Sequence, residues 1–460
     1  MSMKIIERYL FVLLYMKVEI SVGEGIDKLS VLEIKYKKID NEKKREEIQK
    51  EIQALYECVV YKTKYKLYYR ILEYINEKIW DLTDYIRTLS ITDSQFTTVS
   101  SCIFKLNENR YRLKNIFNQI TASHIQEQKN QKLKKCRVVV KEESTLYNKL
   151  EEINSLIMDY DFICFDSPFL STIRGMFNAP VFHYEEEQEE QKTDINGYNV
   201  ISLNEYTLDE EIRPVFRPPP LYYVAGGQFG DFIHQLSVVN EYYYKYGRKG
   251  VLYITDDMSQ GGDSFRFGLQ NTYRDTFDMI LSQPYIVDYK MYNNEPYDVN
   301  LNDWRKNPKL HVQGWHITFQ ETYDIEWGKH KWIIAPMDQT YRNKVVINTT
   351  HYRFCDNIDF KKLYAEYGDE IVFVSADENQ YRHFLGKTGI SIPFVKVENF
   401  SQLCVILSSC KLFVGSRSAP LAIAHATKVN QIFGTSVEES NPLTVVELQN
   451  IWEHIKFGFR

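Results

Sequence analysis

Residues 411–426 read Lys411-Leu412-Phe413-Val414-Gly415-Ser416-Arg417-Ser418-Ala419-Pro420-Leu421-Ala422-Ile423-Ala424-His425-Ala426. An apolar run, Lys411–Gly415, gives way to small and polar residues and then to an alanine-rich run opened by a proline. That pattern is a strand, a tight turn and a helix, since Pro420 suits the first helical position, where a missing N–H costs nothing. The same unit repeats on both sides. Gln431–Gly434 reads as the next strand. Upstream, Lys344–Asn348, Ile371–Ser375 and Phe394–Val397 read as strands, separated by helices at Phe360–Tyr367, Asn379–Leu385 and Ser401–Ser409, and Trp332–Ala335 reads as a further strand. Strands alternating with helices of this length predict a parallel, doubly wound sheet.

A second series precedes it: strand Leu221–Ala225, helix Asp231–Tyr246, strand Val251–Thr255. Two such series imply two Rossmann-like domains with a cleft between them, and ligands in such sheets sit at the carboxyl ends of strands. Before them runs Arg213-Pro214 and Arg217-Pro218-Pro219-Pro220, a stiff linker. Residues 137–203 form a small α/β segment, with strands at Arg137–Val140, Asp161–Phe165, Pro180–Tyr184 and Tyr198–Leu203, a helix at Thr145–Tyr160 and an acidic loop at Glu185–Glu190. No proline occurs before Pro168, and apolar residues recur at helical spacing from Ile26, Leu29 and Leu32 onward, with Ser21 or Gly23 as helix start. The expected architecture is α/β: a helical module (1–135), a small α/β segment (136–217), and Rossmann-like domains at 218–338 and 339–460.

The 460 residues carry 56 Lys+Arg and 62 Asp+Glu, a net charge of −6, which argues against nucleic-acid binding as the main role. The charge is divided, +7 over residues 1–135 and −13 over the rest. A basic, apolar-striped helical head reads either as a partner or homo-oligomer surface or as a helical cap with a solvated face. Seven widely spaced cysteines without a CxxC read as reduced thiols of a cytoplasmic protein. The apolar run Leu10–Met16 is too short to span a bilayer, and no clear signal peptide precedes it.

Three segments carry candidate chemistry. The first is Ala225-Gly226-Gly227-Gln228-Phe229-Gly230-Asp231-Phe232-Ile233-His234, between a strand and a helix. Gly226, Gly227 and Gly230 let backbone approach a ligand, and Asp231 and His234 share a helical face. Asp231 is either a functional carboxylate or a helix-stabilising first-turn acid. A dinucleotide reading competes, because Gly227 and Gly230 fit the last two glycines of GxGxxG and Asp256 ends the next strand. The second is Gly415-Ser416-Arg417-Ser418-Ala419, where helix N-terminal N–H groups and an arginine fork suit phosphate; its plain alternative is a tight turn. The third is Asn348-Thr349-Thr350-His351-Tyr352-Arg353, whose Thr349, Thr350 and Arg353 suit a diphosphate. Asp159-Tyr160-Asp161 is a DxD that precedes its strand, so a metal-dependent role does not fit. Glu439 and Glu447 have the spacing of a retaining sugar transferase but follow the last strand, which reads as chance.

Together these segments resemble the ADP-heptose lipopolysaccharide heptosyltransferase group, glycosyltransferase family 9, of GT-B fold. Gly230-Asp231-Phe232-Ile233-His234 resembles that family's Gly-Asp-(Val/Phe)-(Ile/Leu)-His segment, whose Asp is the proposed base. Phe413–Pro420 with Ala422–Ala426 resembles its diphosphate-binding strand and helix, with Arg417, Ala419 and Ala422 standing where the family has Asp, Gly and His. Thr349-Thr350 resembles a Thr-Thr pair at the phosphate site. The resemblance covers about half the chain, from Leu221 on. It implies an inverting, metal-independent glycosyltransferase with no cofactor, a nucleotide-sugar donor and a glycan or glycolipid acceptor. Asp231 would be its base; Thr349, Thr350, Arg353, Gly415, Ser416, Arg417, Ser418 and Ala419 would bind the donor; Gly226, Gly227, Gly230 and His234 would form an acceptor or phosphate loop. The alternatives are a dinucleotide-dependent oxidoreductase or epimerase, and a catalytically silent sugar-nucleotide scaffold. Separately, Val18–Lys38 resembles a bacterial helical family of unknown function that begins near this motif, which implies Met16 as the start and residues 1–15 as an extension.

Overall fold

The computed structural model describes residues 19–125, 133–177, 179–184, 198–260, 265–310 and 313–434. The extension at 1–15, the Leu10–Met16 run, the loop Glu185–Glu190 and the pair Glu439 and Glu447 lie outside the described residues. The chain divides into two compact units, Met1–Pro219 and Pro220–Arg460.

The first unit opens with helices α1 (Val22–Lys38), α2 (Glu42–Ala54), α3 (Tyr56–Lys64), α4 (Lys66–Ile86) and α5 (Ser94–Ile120). Of the two candidate starts for α1, Ser21 is the N-cap, its Oγ accepting from Glu24 N at 3.1 Å. Gly23 serves close approach instead. A Cβ there would lie 2.3 Å from the Lys114 carbonyl of α5, and its N–H donates to Asn118 Oδ1 at 2.7 Å. Asp27, buried between the helices, pairs with Arg110 and accepts from Asn76 Nδ2 at 2.9 Å.

The strands β1 (Lys135–Val139), β2 (Phe162–Asp166), β3 (Phe182–Tyr184) and β4 (Tyr198–Ser202) form a parallel sheet in the order β3-β2-β1-β4. Where one helix was expected at 145–160 there are two short ones, α6 (Glu143–Asn148) and α7 (Leu150–Ser155), and a 3₁₀ turn at Leu156–Met158. Helix α8 (Leu170–Met176) joins β2 to β3. A single hydrophobic core runs from Leu29, Leu72 and Phe117 of the helices to Val138, Ile153, Phe165 and Phe177 around the sheet. The proline-rich stretch is partly folded as well. Arg213–Phe216 makes a helical turn, α9, with Phe216 fully buried, and Arg70 donates to the carbonyls of Val215 (2.9 Å) and Arg217.

The second unit contains two parallel sheets. The first lobe has β5 (Leu221–Gly226), α10 (Phe229–Tyr246), β6 (Gly250–Thr255), α11 (Leu269–Leu281), β7 (Ile286–Met291), β8 (Val299–Asn300) and α12 (Trp315–Tyr323), with sheet order β7-β6-β5-β8. The second lobe has β9 (Val345–Asn348), α13 (Phe360–Tyr367), β10 (Ile371–Ser375), α14 (Glu378–Thr388), β11 (Phe394–Lys396), α15 (Phe400–Ser409), β12 (Leu412–Ser416), α16 (Ala419–Thr427) and β13 (Gln431–Gly434), with order β11-β10-β9-β12-β13. All pairings are parallel. Counted within its lobe, the second sheet runs 3-2-1-4-5, the doubly wound order expected from the alternation. Its central strands are largely apolar because both faces are covered, as β9 and β10, buried at every position, illustrate.

Trp332–Ala335 is not a strand. Trp332 and Ile333 are buried as a plug against helices, while Ile334 is exposed. Trp332 Nε1 donates to the Ile233 carbonyl of α10 at 2.8 Å, and the N–H groups of Trp332 and Ile333 donate to Ala426 O of α16 at 3.1 and 3.3 Å.

Candidate functional site

In a doubly wound sheet, the chain leaves the first strand in one direction and later returns on its other side. That reversal opens a crevice at the strands' carboxyl ends. In the second lobe the reversal lies between β9 and β12, where Asn348 pairs with Gly415. The two proposed phosphate segments therefore meet. Thr350 N donates to Ser416 Oγ at 3.1 Å, Arg353 Nη1 donates to the Arg417 carbonyl at 2.7 Å, and Ser418 Oγ donates to Ser416 O at 3.2 Å. Gly415 admits no side chain, since a Cβ would lie 2.7 Å from Asn348 O. Ser418 is the N-cap of α16 but its side chain makes no capping bond, and Ala419 is the first helical residue. Thr349 is fully buried and its hydroxyl has no hydrogen-bond partner among the described residues. An unmade hydrogen bond of this kind costs about 1–3 kcal/mol, which a polar ligand can recover.

In the first lobe the reversal lies between β5 and β8. Gly226 ends β5, Gly227 follows it, and Asp231 stands in the first turn of α10. Arg305, in a 3₁₀ turn just after β8, reaches back to it, with Nη2 2.7 Å from Asp231 Oδ2 and Nη1 2.8 Å from Asn302 Oδ1. Gln235 Nε2 donates to the same Asn302 oxygen at 2.9 Å and to Gly226 O at 3.0 Å. The guanidinium also lies 4.5 Å over the Trp304 ring. Gly227 has φ +108°, and a Cβ on it would fall 2.3 Å from Arg305 Nη2. The room beside Gly227 that the dinucleotide reading gives to a pyrophosphate thus holds an arginine.

The two constellations face each other through their helices. A Cβ on Gly230 would lie 4.0 Å from Ala419 Cα and from Ala422 Cβ. One turn on, His234 Nε2 and His425 Nδ1 share a hydrogen bond of 3.1 Å, and the His234 ring stacks on Trp315 at 4.1 Å. His234 is only partly exposed, and burial first, then His425 and Arg417, hold its pKa well below the ordinary 6.5. It lies on α10 between the lobes, bonded to His425, and not in an open loop. On the outer side, Arg266 of the first lobe lies 5.5 Å over the Tyr352 ring, beside the exposed Phe267.

Among the described residues, no group of three or more His, Cys, Asp or Glu is placed to hold a metal ion. The DxD carboxylates are engaged in ion pairs, Asp159 with Lys105 at 3.3 Å and Asp161 with Arg112 at 3.1 Å. No described helix is long and apolar enough to cross a membrane.

Residues 16–154 match the model of a family of unknown function, DUF6165. That match continues past the helices into β1, α6 and α7, as the shared core would require. No curated protein matches. Among solved structures, the chain is similar to the iron-containing dodecameric glycosyltransferase TibC of enterotoxigenic E. coli H10407, at 12% identity and TM-score 0.33, over 47% of this chain and 57% of that one. It is also similar to E. coli heptosyltransferase WaaC with ADP-2-deoxy-2-fluoro heptose, at 10% identity and TM-score 0.30, over 52% of this chain and 99% of that one. A third is the family 9 glycosyl transferase of Veillonella parvula DSM 2008, at 11% identity and TM-score 0.23, over 68% and 85%. The chain spans little more than half the length of the first of these.

Three residues of the site were not legible in the sequence. Arg305 follows a strand only two residues long, so no pattern announced it. His425 sits in an alanine-rich helix and reads as ordinary filling. Asn302 is drawn into the site by its side-chain contacts with Gln235 and Arg305, 67 residues before it and three after.

Proposed function

We propose that residues 220–460 carry out metal-independent glycosyl transfer with inversion, from a nucleotide-sugar to a hydroxyl of a glycan or glycolipid. The observation that carries this reading is the meeting of Thr349-Thr350 and Arg353 with Ser416–Ala419 at the reversal point of the second sheet, directly across from the helix that begins at Gly230-Asp231. The diphosphate would lie on the N–H groups that open α16, with Arg417, Arg353, Ser416 and Ser418 balancing the charge that develops as it leaves. The acceptor hydroxyl attacks the anomeric carbon from the opposite face, and its proton passes to Asp231 as the C–O bond to the diphosphate breaks. Arg305 and Asn302 fix the direction of that carboxylate. Holding donor and acceptor together supplies much of the acceleration. The reaction needs no cofactor besides the donor.

A panel of nucleotide-sugars, with nucleoside diphosphate release as readout, tests the reading on the whole chain. Asp231→Asn should bind the diphosphate normally and lower turnover at least about a hundredfold. A second reading is a silent sugar-nucleotide scaffold, favoured by the engagement of Asp231 by Arg305. It requires diphosphate binding with no turnover in either protein.

A further inference from the structure

The lobes of the second unit meet through helices. Their two ligand-end helices, α10 and α16, pack directly on each other, α10 by its opening turns and α16 from Ala419 to His425. Two small-residue contacts, Gly230 against Ala419 and Ala422, set how close they come. Small residues permit closeness but do not enforce it. The polar contact one turn further along does, because the His234–His425 hydrogen bond is directional and surrounded by rings. His234 stacks on Trp315 at 4.1 Å, Trp327 meets the His425 ring edge-on at 6.1 Å, and Trp332 seals the far end through Ile233 O. Neither histidine belongs to the diphosphate turn or to the carboxylate network, yet each is on the helix that bears one of them.

We infer that His425 is a positioning residue. By its hydrogen bond to His234 it clasps α10 to α16 and so sets the distance between the Asp231 carboxylate and the Ser416–Ala419 turn. The reacting groups sit on different lobes, so their spacing is a property of the contacts between the lobes and not of either sheet; Phe229 against Phe400 and the Phe400 N–H donating to Asp275 hold the lobes elsewhere, and the histidine bond joins the two helices that bear the reacting groups. The inference rests on the glycosyl-transfer reading for its consequence in turnover, but the clasp itself is a physical contact that can be measured without any reaction.

The test combines three readouts on the full chain. The first uses Gly230→Cys with Ala422→Cys. The Cβ positions are 4.0 Å apart, within the 3.5–4.5 Å of a disulfide, so the rate of cross-linking reports the approach of the helices. The second is affinity for a nucleoside diphosphate, and the third is turnover. His425→Ala should slow cross-linking severalfold and lower turnover at least tenfold, while diphosphate affinity stays within about twofold, because the diphosphate turn lies wholly on the second lobe. His425→Asn places a hydrogen-bonding atom where Nδ1 was and should recover most of both losses. Should His425→Ala fail to fold, His234→Leu breaks the same bond from the other side. Unchanged cross-linking in the alanine variant overturns the inference. So does a parallel fall in diphosphate affinity, or an asparagine variant no better than alanine. If the parent protein neither binds diphosphates nor turns over, while cross-linking still depends on His425, the clasp is upheld and the glycosyl-transfer reading is what fails.

Discussion

Arg305 Nη2 lies 2.7 Å from Asp231 Oδ2 and fills the space that any side chain at position 227 would occupy. Glycine at 227 is thus a condition for the ion pair. In Gly227→Ala, the new methyl meets the mobile end of an arginine, so the guanidinium moves and the backbone holds. We expect turnover to fall about tenfold or more, and stability to fall by about 1–3 kcal/mol from the positive φ, or several degrees in melting temperature for a unit of this size. In an Arg305→Met background the same substitution should keep its stability cost and lose its effect on turnover, a coupling that a double-mutant cycle measures directly.

Arg417 stands at the opening of α16, where an acid would repel a diphosphate and a guanidinium can donate to it. Its backbone carbonyl, which holds Arg353, survives a side-chain change. Arg417→Ala should weaken nucleoside diphosphate binding by roughly 1.5–3 kcal/mol, or about ten- to a hundredfold, and leave the bare nucleoside nearly unaffected. Calorimetry on both ligands checks this, and equal diphosphate affinity in the two proteins would move the phosphate site elsewhere.

Acid should loosen the second unit. His234 is held well below its ordinary pKa by burial, by His425 and by Arg417. A histidine depressed on folding contributes fully above the unfolded value of about 6.5, and that contribution drains away as pH falls below it toward the folded value, because only the unfolded chain takes up the proton. The slope contributed approaches about 1.4 kcal/mol per pH unit. Denaturant unfolding between pH 7 and 5 should be less pH-dependent in His234→Gln. His383, also lowered by burial, continues to titrate in both proteins and supplies the background.

The shared core of the first unit sets where the chain can be cut. Removing residues 1–135 strips Leu29, Leu72 and Phe117 from the faces of Val138 and Ile153, so a fragment beginning at 136 should be protease-sensitive before residue 219. A fragment beginning at 220 should melt cooperatively. Comparing its mass with that of the whole chain by light scattering tests whether the helical head drives self-association. An equal number of protomers per particle in both would rule that out.

The second lobe was legible because its central strands, such as Ile371–Ser375, are covered on both faces and so read as unbroken apolar runs. Ile286–Met291 was not, since it is an edge strand whose Val287 and Met291 are exposed and whose pattern is interrupted by a register shift. Trp332–Ala335 has the composition of a strand but spends the N–H groups of Trp332 and Ile333 on Ala426 and that of Ile334 on the Gln283 side chain. Burial writes apolar residues into a sequence; the kind of partner that buries them leaves no mark. The phosphate turns were visible as local strings of small and polar residues. Arg305 and the histidine clasp were not, because each is made by residues far apart in the chain.

The central position of β9 also has a consequence for synthesis. Val345 pairs on one side with Ile371 and on the other with Leu412, sixty-seven residues downstream. At about 5–20 residues per second, the second edge of β9 waits roughly 3–13 seconds for its partner to be made. During that interval the nascent chain presents Val345-Val346-Ile347 as an open template for any other strand. Until β12 arrives, this stretch is a liability that a chaperone at the ribosome would relieve and a slow-translating codon run before β12 would prolong.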